Sequence, residues 1–203
     1  MGNSVALIDY GAGNLQSVRN ALKAAGASDI AVTADPDVVR RADRIVLPGV
    51  GAFAHCMSSL STIPGMVDAL HEATGSGAKP FLGICVGMQL MAQAGEEHGT
   101  HPGLGWVNGR VKLMDATDAS VKIPHMGWND VIPECDHPLI EAGEAYFLHS
   151  YAYDGGEVLA TSHHGAPVVA AIGSGNRIGV QFHPEKSQGY GLKFLSKFLE
   201  WKP

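Results

Sequence analysis

Residues 79–92 read KPFLGICVGMQLMA. Pro80 to Ile84 is a near-continuous apolar run that reads as a buried strand, and Met88 to Ala92 reads as the start of a helix. Between them stands Cys85, with Gly83 and Gly87 two positions away on either side. The pattern has the form of the G-x-S-x-G nucleophile elbow, a strained strand-to-helix turn, with sulfur in place of the hydroxyl. Glycine at the two flanking positions removes the side chains that would collide around such a turn. A strand that ends in an elbow is a unit of an open α/β sheet, which collects reactive groups at the carboxyl ends of its strands.

The rest of the first half agrees. SVALIDY (4–10) is a strand, GAGN (11–14) a turn and 15–25 a helix; IAVT (30–33) is a short strand. In DPDVVRRA (35–42), Asp35 is placed to cap a helix that has Pro36 in its first turn. RIVLPG (44–49) is the next strand. Apolar strands alternating with helices predict a parallel sheet covered on both faces. From about Gly105 the runs GWVNGRVKLM, AYFLHSYAY, EVLATSHHG, PVVAAIGSG and RIGVQFH, broken by Gly and Asn, predict antiparallel additions to that sheet. Leu192, Leu195, Phe198 and Leu199 lie at helical spacing in the last segment. The predicted fold is therefore α/β: a single open, mostly parallel sheet with helices on both faces and antiparallel additions in the C-terminal half. All of it falls in one domain, 1–203.

Composition narrows the function. Charged residues make up 17% of the 203, hydrophobic ones 45%, and the net charge is −6. No basic run is present, which argues against a binder of nucleic-acid backbone. No apolar run reaches the ~18 residues of a membrane span. The first residues lack the basic region of a signal peptide, so a cytoplasmic location is expected. Cys56, Cys85 and Cys135 are three scattered cysteines, neither a disulfide framework nor a zinc cluster. Of the ten histidines, the adjacent His163 and His164 would point to opposite faces of a strand. No metal is expected.

A G-x-C-x-G run alone also fits a buried core cysteine. A base elsewhere decides between the two readings. RIGVQFHPEKS carries one: His183 closes a predicted strand, Pro184 stops it, and Glu185 can reach back to hold the imidazole. Nucleophile, base and orienter make up the logic of a triad. Attack on an amide carbonyl also needs oxyanion donors. The Val86 N–H is one, and VLPGVGAF offers another in the turn Gly49-Val50-Gly51. GAGN opens like a dinucleotide-binding fingerprint, but Gln16 occupies the place of the third glycine.

GICVGMQ, FHPE and PGVGAF together resemble the triad-type (class I) glutamine amidotransferases. IDYGAGN, PHMGWN (124–129) and QFHPEKSQ make the chain most similar, within that class, to the glutaminase subunits of imidazole glycerol phosphate synthase. The resemblance spans about Val5 to Leu199. It implies glutamine hydrolysis with Cys85 as nucleophile, His183 as base and Glu185 as its partner. It puts Gly49, Val50, Gly51 and Val86 around the oxyanion, and Gln89 on the γ-glutamyl group. Glu97, or its neighbour Glu96, would receive the substrate's α-amino group, and Ser150 and Tyr151 would line the pocket. It further implies a (β/α)₈-barrel cyclase subunit as partner, met by Asn14 and by Pro124, Met126, Gly127, Trp128 and Asn129. No cofactor is implied. A glutaminase serving another synthase, a stand-alone Cys–His hydrolase and a binding module are the alternatives.

Overall fold

The computed structural model describes residues 4–115 and 121–203. Its first half runs β1 (Ser4–Ile8), α1 (Leu15–Ala24), β2 (Asp29–Thr33), α2 (Pro36–Arg41), β3 (Arg44–Gly49), α3 (Phe53–Thr62), α4 (Met66–Thr74), β4 (Phe81–Cys85) and α5 (Val86–Gln89). Asn14 caps α1 by accepting from the Ser17 N–H at 3.4 Å, and Asp35 caps α2 by accepting from the Asp37 N–H at 2.8 Å. The second half runs β5 (Ala94–Gly95), β6 (His101–Pro102), β7 (Gly109–Leu113), β8 (His125–Pro133), β9 (Gly143–His149), β10 (Tyr151–Gly155), β11 (Val158–His163), β12 (Pro167–Ser174), β13 (Arg177–Val180), a 3₁₀ turn (Pro184–Lys186) and α6 (Gln188–Glu200).

Nine strands form an open mixed sheet in the order β2-β1-β3-β4-β13-β12-β11-β8-β9. The pairings among β2, β1, β3, β4 and β13 are parallel, and those beyond β13 are antiparallel. Every residue of β3 and β4 is buried, as expected for central strands covered on both faces. β4 lies between β3 and β13, so its end carries Cys85 to the middle of the sheet edge.

Four features depart from the expectation. A second sheet of four strands, β10-β7-β5-β6, accompanies the main one. The run AYFLHSYAY is not one strand: it bends at Ser150 and passes from β9 in the large sheet to β10 in the small one. The helix after the elbow, α5, is a single turn over Val86–Gln89 rather than a helix that starts at Met88 and runs on through Ala92. In α6 the buried stripe is Phe194, Leu195, Phe198 and Leu199, while Leu192 is exposed.

Candidate active site

The elbow is built as its glycines require. Cys85 has φ 54° and ψ −112°, a region that costs a non-glycine residue energy and recurs at functional sites. A Cβ on Gly83 would sit 2.5 Å from the Gly87 carbonyl oxygen, and one on Gly87 would overlap the Leu47 carbonyl on β3. In the parallel ladders Gly49 stands opposite Cys85 on one side, and Ile84 opposite Val180 on the other. The residues that follow Val180, Gln181 to His183, are thereby delivered next to Cys85. The β13 ladder ends at Val180, so His183 lies beyond the strand rather than on its last residue.

His183 is held from several directions. Its N–H donates to the Tyr146 carbonyl at 2.8 Å. Ser187, fully buried, donates its hydroxyl to the His183 carbonyl at 2.6 Å and accepts from the Tyr146 N–H at 2.9 Å. The ring places Nδ1 2.8 Å from Glu185 Oε1, with both side chains almost wholly buried. A carboxylate can only accept, so Nδ1 carries the proton and Nε2 is left for Cys85. Burial lowers the imidazole pKa, but hydrogen bonds to Cys85 and Glu185 outweigh it and raise it to about 10. The site therefore favours an imidazolium beside the sulfur.

Around Cys85 lies a cavity of about 150 Å³. That is small against the ~300–1,000 Å³ of pockets for drug-sized ligands and fits a small metabolite. The predicted residues Val50, Gly51, Val86, Gln89, Glu97, Ser150 and Tyr151 line it with Cys85 and His183. Of the two neighbouring glutamates, Glu97 borders the cavity, and its carboxylate accepts from the Phe53 N–H at 2.9 Å. Glu96 pairs on the surface with Arg110 at 3.1 Å. A larger depression, about 300 Å³ between residues 112–115 and 166–169, holds no nucleophile beside a base.

In the predicted oxyanion turn, Gly49-Val50-Gly51, the two glycines have different causes. Gly49 is glycine for close packing, since a Cβ would lie 2.7 Å from the Gly87 N and 2.8 Å from Val86 Cβ. Gly51, at φ +96°, is glycine for its left-handed backbone. Two side chains missed in the sequence hold this turn. Tyr10 donates its hydroxyl to the Pro48 carbonyl at 2.7 Å, and Cys56 Sγ donates to the Val50 carbonyl at 3.3 Å. Burial raises the pKa of both groups, which keeps them protonated donors. Cys56, off any elbow in the sequence, thus lies directly against the site. Nothing in its local pattern marks it.

HMGWN (125–129) opens β8, whose alternation leaves Met126 and Trp128 60% and 46% exposed on one face, continued by Ile132; Pro124 precedes the strand. Asn129 does not share that exposed face. Its Nδ2 donates to the His163 carbonyl and to His125 Nε2, each at 2.9 Å. His125 Nδ1 lies 3.1 Å from His149 Nε2, and His149 Nδ1 lies 2.9 Å from the Tyr151 carbonyl. Both ends are backbone acceptors, so the tautomers follow: each ring carries its proton on Nδ1, and each Nε2 accepts. This chain of neutral histidines joins β8 to the cavity wall.

Burial, then neighbouring His149 and His164, lowers His125 to about 3; burial above all lowers His149 to about 4. Stability carried by the neutral rings is fully present above about pH 6.5 and is lost as pH falls toward the folded values. The unfolding free energy from denaturant titration should therefore drop with acid, by up to about 1.4 kcal/mol per pH unit for each ring. H125Q is expected to flatten that acid limb. An unchanged slope between pH 6.5 and 4.5 would show that the ring is not held neutral.

Residues 6–201 match the model of the glutamine amidotransferase class-I family, and the chain belongs to that family. Solved structures share the fold: one described as a glutamine amidotransferase superposes with a TM-score of 0.75 at 18% identity, covering 98% of this chain and all of the other. PurLQS from Thermotoga maritima matches at 0.67 and 20%, covering 98% and 97%. Among curated relatives, the chain is 60% identical to imidazole glycerol phosphate synthase subunit HisH of Zymomonas mobilis, over 99% of this chain and 97% of that one. It is 51% identical to the HisH subunit of Rhodopseudomonas palustris, over 98% and 100%. Within the family the chain therefore groups with the HisH subunits.

Proposed function

We propose that the chain, as one glutaminase domain over 1–203, hydrolyses L-glutamine and supplies ammonia to a cyclase subunit of imidazole glycerol phosphate synthase. The observation that carries the hydrolytic part is the cavity at the strained Cys85, bordered by a His183 that Glu185 orients. Cys85 sulfur attacks the carboxamide carbon. The C–N bond breaks as His183 passes its proton to the departing nitrogen, which leaves a γ-glutamyl thioester and ammonia. Water then adds to the thioester carbonyl, gives a proton to His183, and expels the thiolate with release of glutamate. The N–H groups of Val86 and Val50 hold the oxyanion, and Glu97 receives the α-amino group. The ammonia enters a (β/α)₈-barrel cyclase that forms imidazole glycerol phosphate and aminoimidazole carboxamide ribotide, in histidine biosynthesis. The exposed Met126 and Trp128, and the exposed Asn14 of the GAGN turn, suit the docking of that partner.

Ammonia release from glutamine, measured with and without the cyclase, tests the reading. Strong stimulation by the cyclase is expected. Turnover that responds instead to a chorismate-using synthase would overturn the choice of partner. A glutamine-mimicking electrophile is expected to label Cys85, with protection by glutamine. Cys56 is buried and its thiol pKa is raised by that burial, so it should stay unlabelled. Cys135 is exposed and open to general alkylation, but glutamine should not protect it. Peptide mapping that puts the protected label on either of these two would refute the assignment.

A further inference from the structure

The Gln181 side chain is fully buried, and no step above uses it. Its position follows from the β13–β4 register, which sets the residue after Val180 beside the residue after Ile84. Its hydrogen bonds can be oriented without ambiguity. The Tyr151 carbonyl can only accept, and Gln89 Nε2 lies 2.9 Å from it. The same nitrogen lies 3.0 Å from Gln181 Oε1. Turning the Gln89 amide over would set two oxygens face to face at Tyr151. Turning Gln181 over would set two N–H groups against each other. The Gln181 nitrogen is therefore fixed on the far side of its amide, 3.7 Å from Cys85 Sγ.

The surroundings of the sulfur give this contact its meaning. The Leu148 carbonyl, 3.9 Å away, can only accept, so it suits the protonated thiol. The Gln181 N–H can only donate, so it suits the ionised sulfur. Hydrogen bonds to the charged form of a group favour that form, and in a dry site the effect is large. His183 supplies the counter-charge, but it must surrender its proton during the reaction. The Gln181 donor stays in place throughout.

We propose that Gln181 is a catalytic residue of the hydrolysis: its amide N–H holds Cys85 as the thiolate nucleophile, while its oxygen holds Gln89 in place at the cavity wall. The proposal rests on the glutaminase reading of the site. Both N–H groups of Gln89 are taken by Tyr151 and Gln181, which leaves its Oε1 as the acceptor free to face the substrate. Loss of Gln181 should therefore act twice, on the reactivity of the sulfur and on the binding of glutamine.

The test uses the complex with its cyclase, carrying C135S so that the exposed thiol does not report. Q181M and Q181L both lack the donor but differ in shape. Iodoacetamide, which has no use for Gln89, is the probe of the sulfur. Labelling of Cys85 at pH 7 is expected to slow about ten-fold in both variants, the size of one charge-assisted hydrogen bond. The KM for glutamine should rise in both, and ammonium-dependent synthesis should persist, which reports an intact fold and docking. A variant that retains ammonium-dependent synthesis yet labels within three-fold of the parent at pH 7 overturns the proposal. So does slow labelling in one variant alone, tracking its melting temperature, because that is a packing effect. A parent complex that releases no ammonia from glutamine would instead overturn the glutaminase reading itself.

Discussion

C85A is expected to abolish glutamine-dependent synthesis by the complex while synthesis from ammonium salts continues. Without sulfur there is no thioester, and binding and oxyanion contacts alone leave only a residue of catalysis. The loss should be on the order of 10⁴-fold or more. Ammonia added from solution bypasses this chain, because the cyclisation is proposed to occur on the partner. The substitution is mild for the fold: alanine is smaller than cysteine, and the strained φ of 54° is accommodated by Gly83 and Gly87, which remain. Assay of both nitrogen sources on one preparation separates the outcomes. Loss of both activities in an assembled complex would contradict the division of labour.

V50P is expected to lower partner-stimulated glutamine turnover by about 10²–10³-fold, the cost of one oxyanion donor, and basal turnover far less. Proline has no N–H to offer. The reasoning rests on how the turn is held. Tyr10 and Cys56 grip the carbonyls of Pro48 and Val50, on either side of the Gly49–Val50 peptide. The GAGN turn lies against the same segment: a Cβ on Gly13 would be 3.0 Å from Pro48 Cγ. A partner seated on that turn therefore bears on the Gly49–Val50 peptide, and is expected to shift that peptide's population toward the orientation that aims the Val50 N–H at the cavity. Equal loss of basal and stimulated turnover would mean that the hole is preformed. Ammonium-dependent synthesis serves as the control for folding.

The elements with local causes were legible before any coordinates. The Gly83-Cys85-Gly87 elbow could be read because the spacing of its glycines is local, and the conflict at Gly83, with the Gly87 carbonyl, is too; the conflict at Gly87 is with the Leu47 carbonyl of the neighbouring strand. His183 and Glu185 could be paired because only Pro184, which turns the chain, stands between them. The cap at Asp35 is likewise a contact across two residues; the equally local cap at Asn14 was not read. Apolar strands alternating with helices were enough for the parallel half of the sheet, since burial on both faces leaves no polar period to misread.

What lay beyond reach depends on which strands are neighbours and in what register. Gln181 is an unremarkable residue in a strand until β13 is paired with β4, which carries it to the sulfur. Glu96 and Glu97 are equivalent in sequence; the course of the chain after β5 sends one to Arg110 and the other to the cavity. Met126 and Trp128 are exposed on a strand because β8 pairs with β9 and β11, which no property of PHMGWN itself specifies. The bend at Ser150 arises where one run of chain serves two sheets. By itself, then, the sequence determined the elbow at Cys85 and the alternation of the first half, which are patterns within a few residues along the chain. The tertiary structure alone decided the Gln181–Gln89 bridge, the His125–His149 chain and the Tyr10 and Cys56 grips. Those are hydrogen bonds between distant residues, and their partners are chosen by strand register and burial.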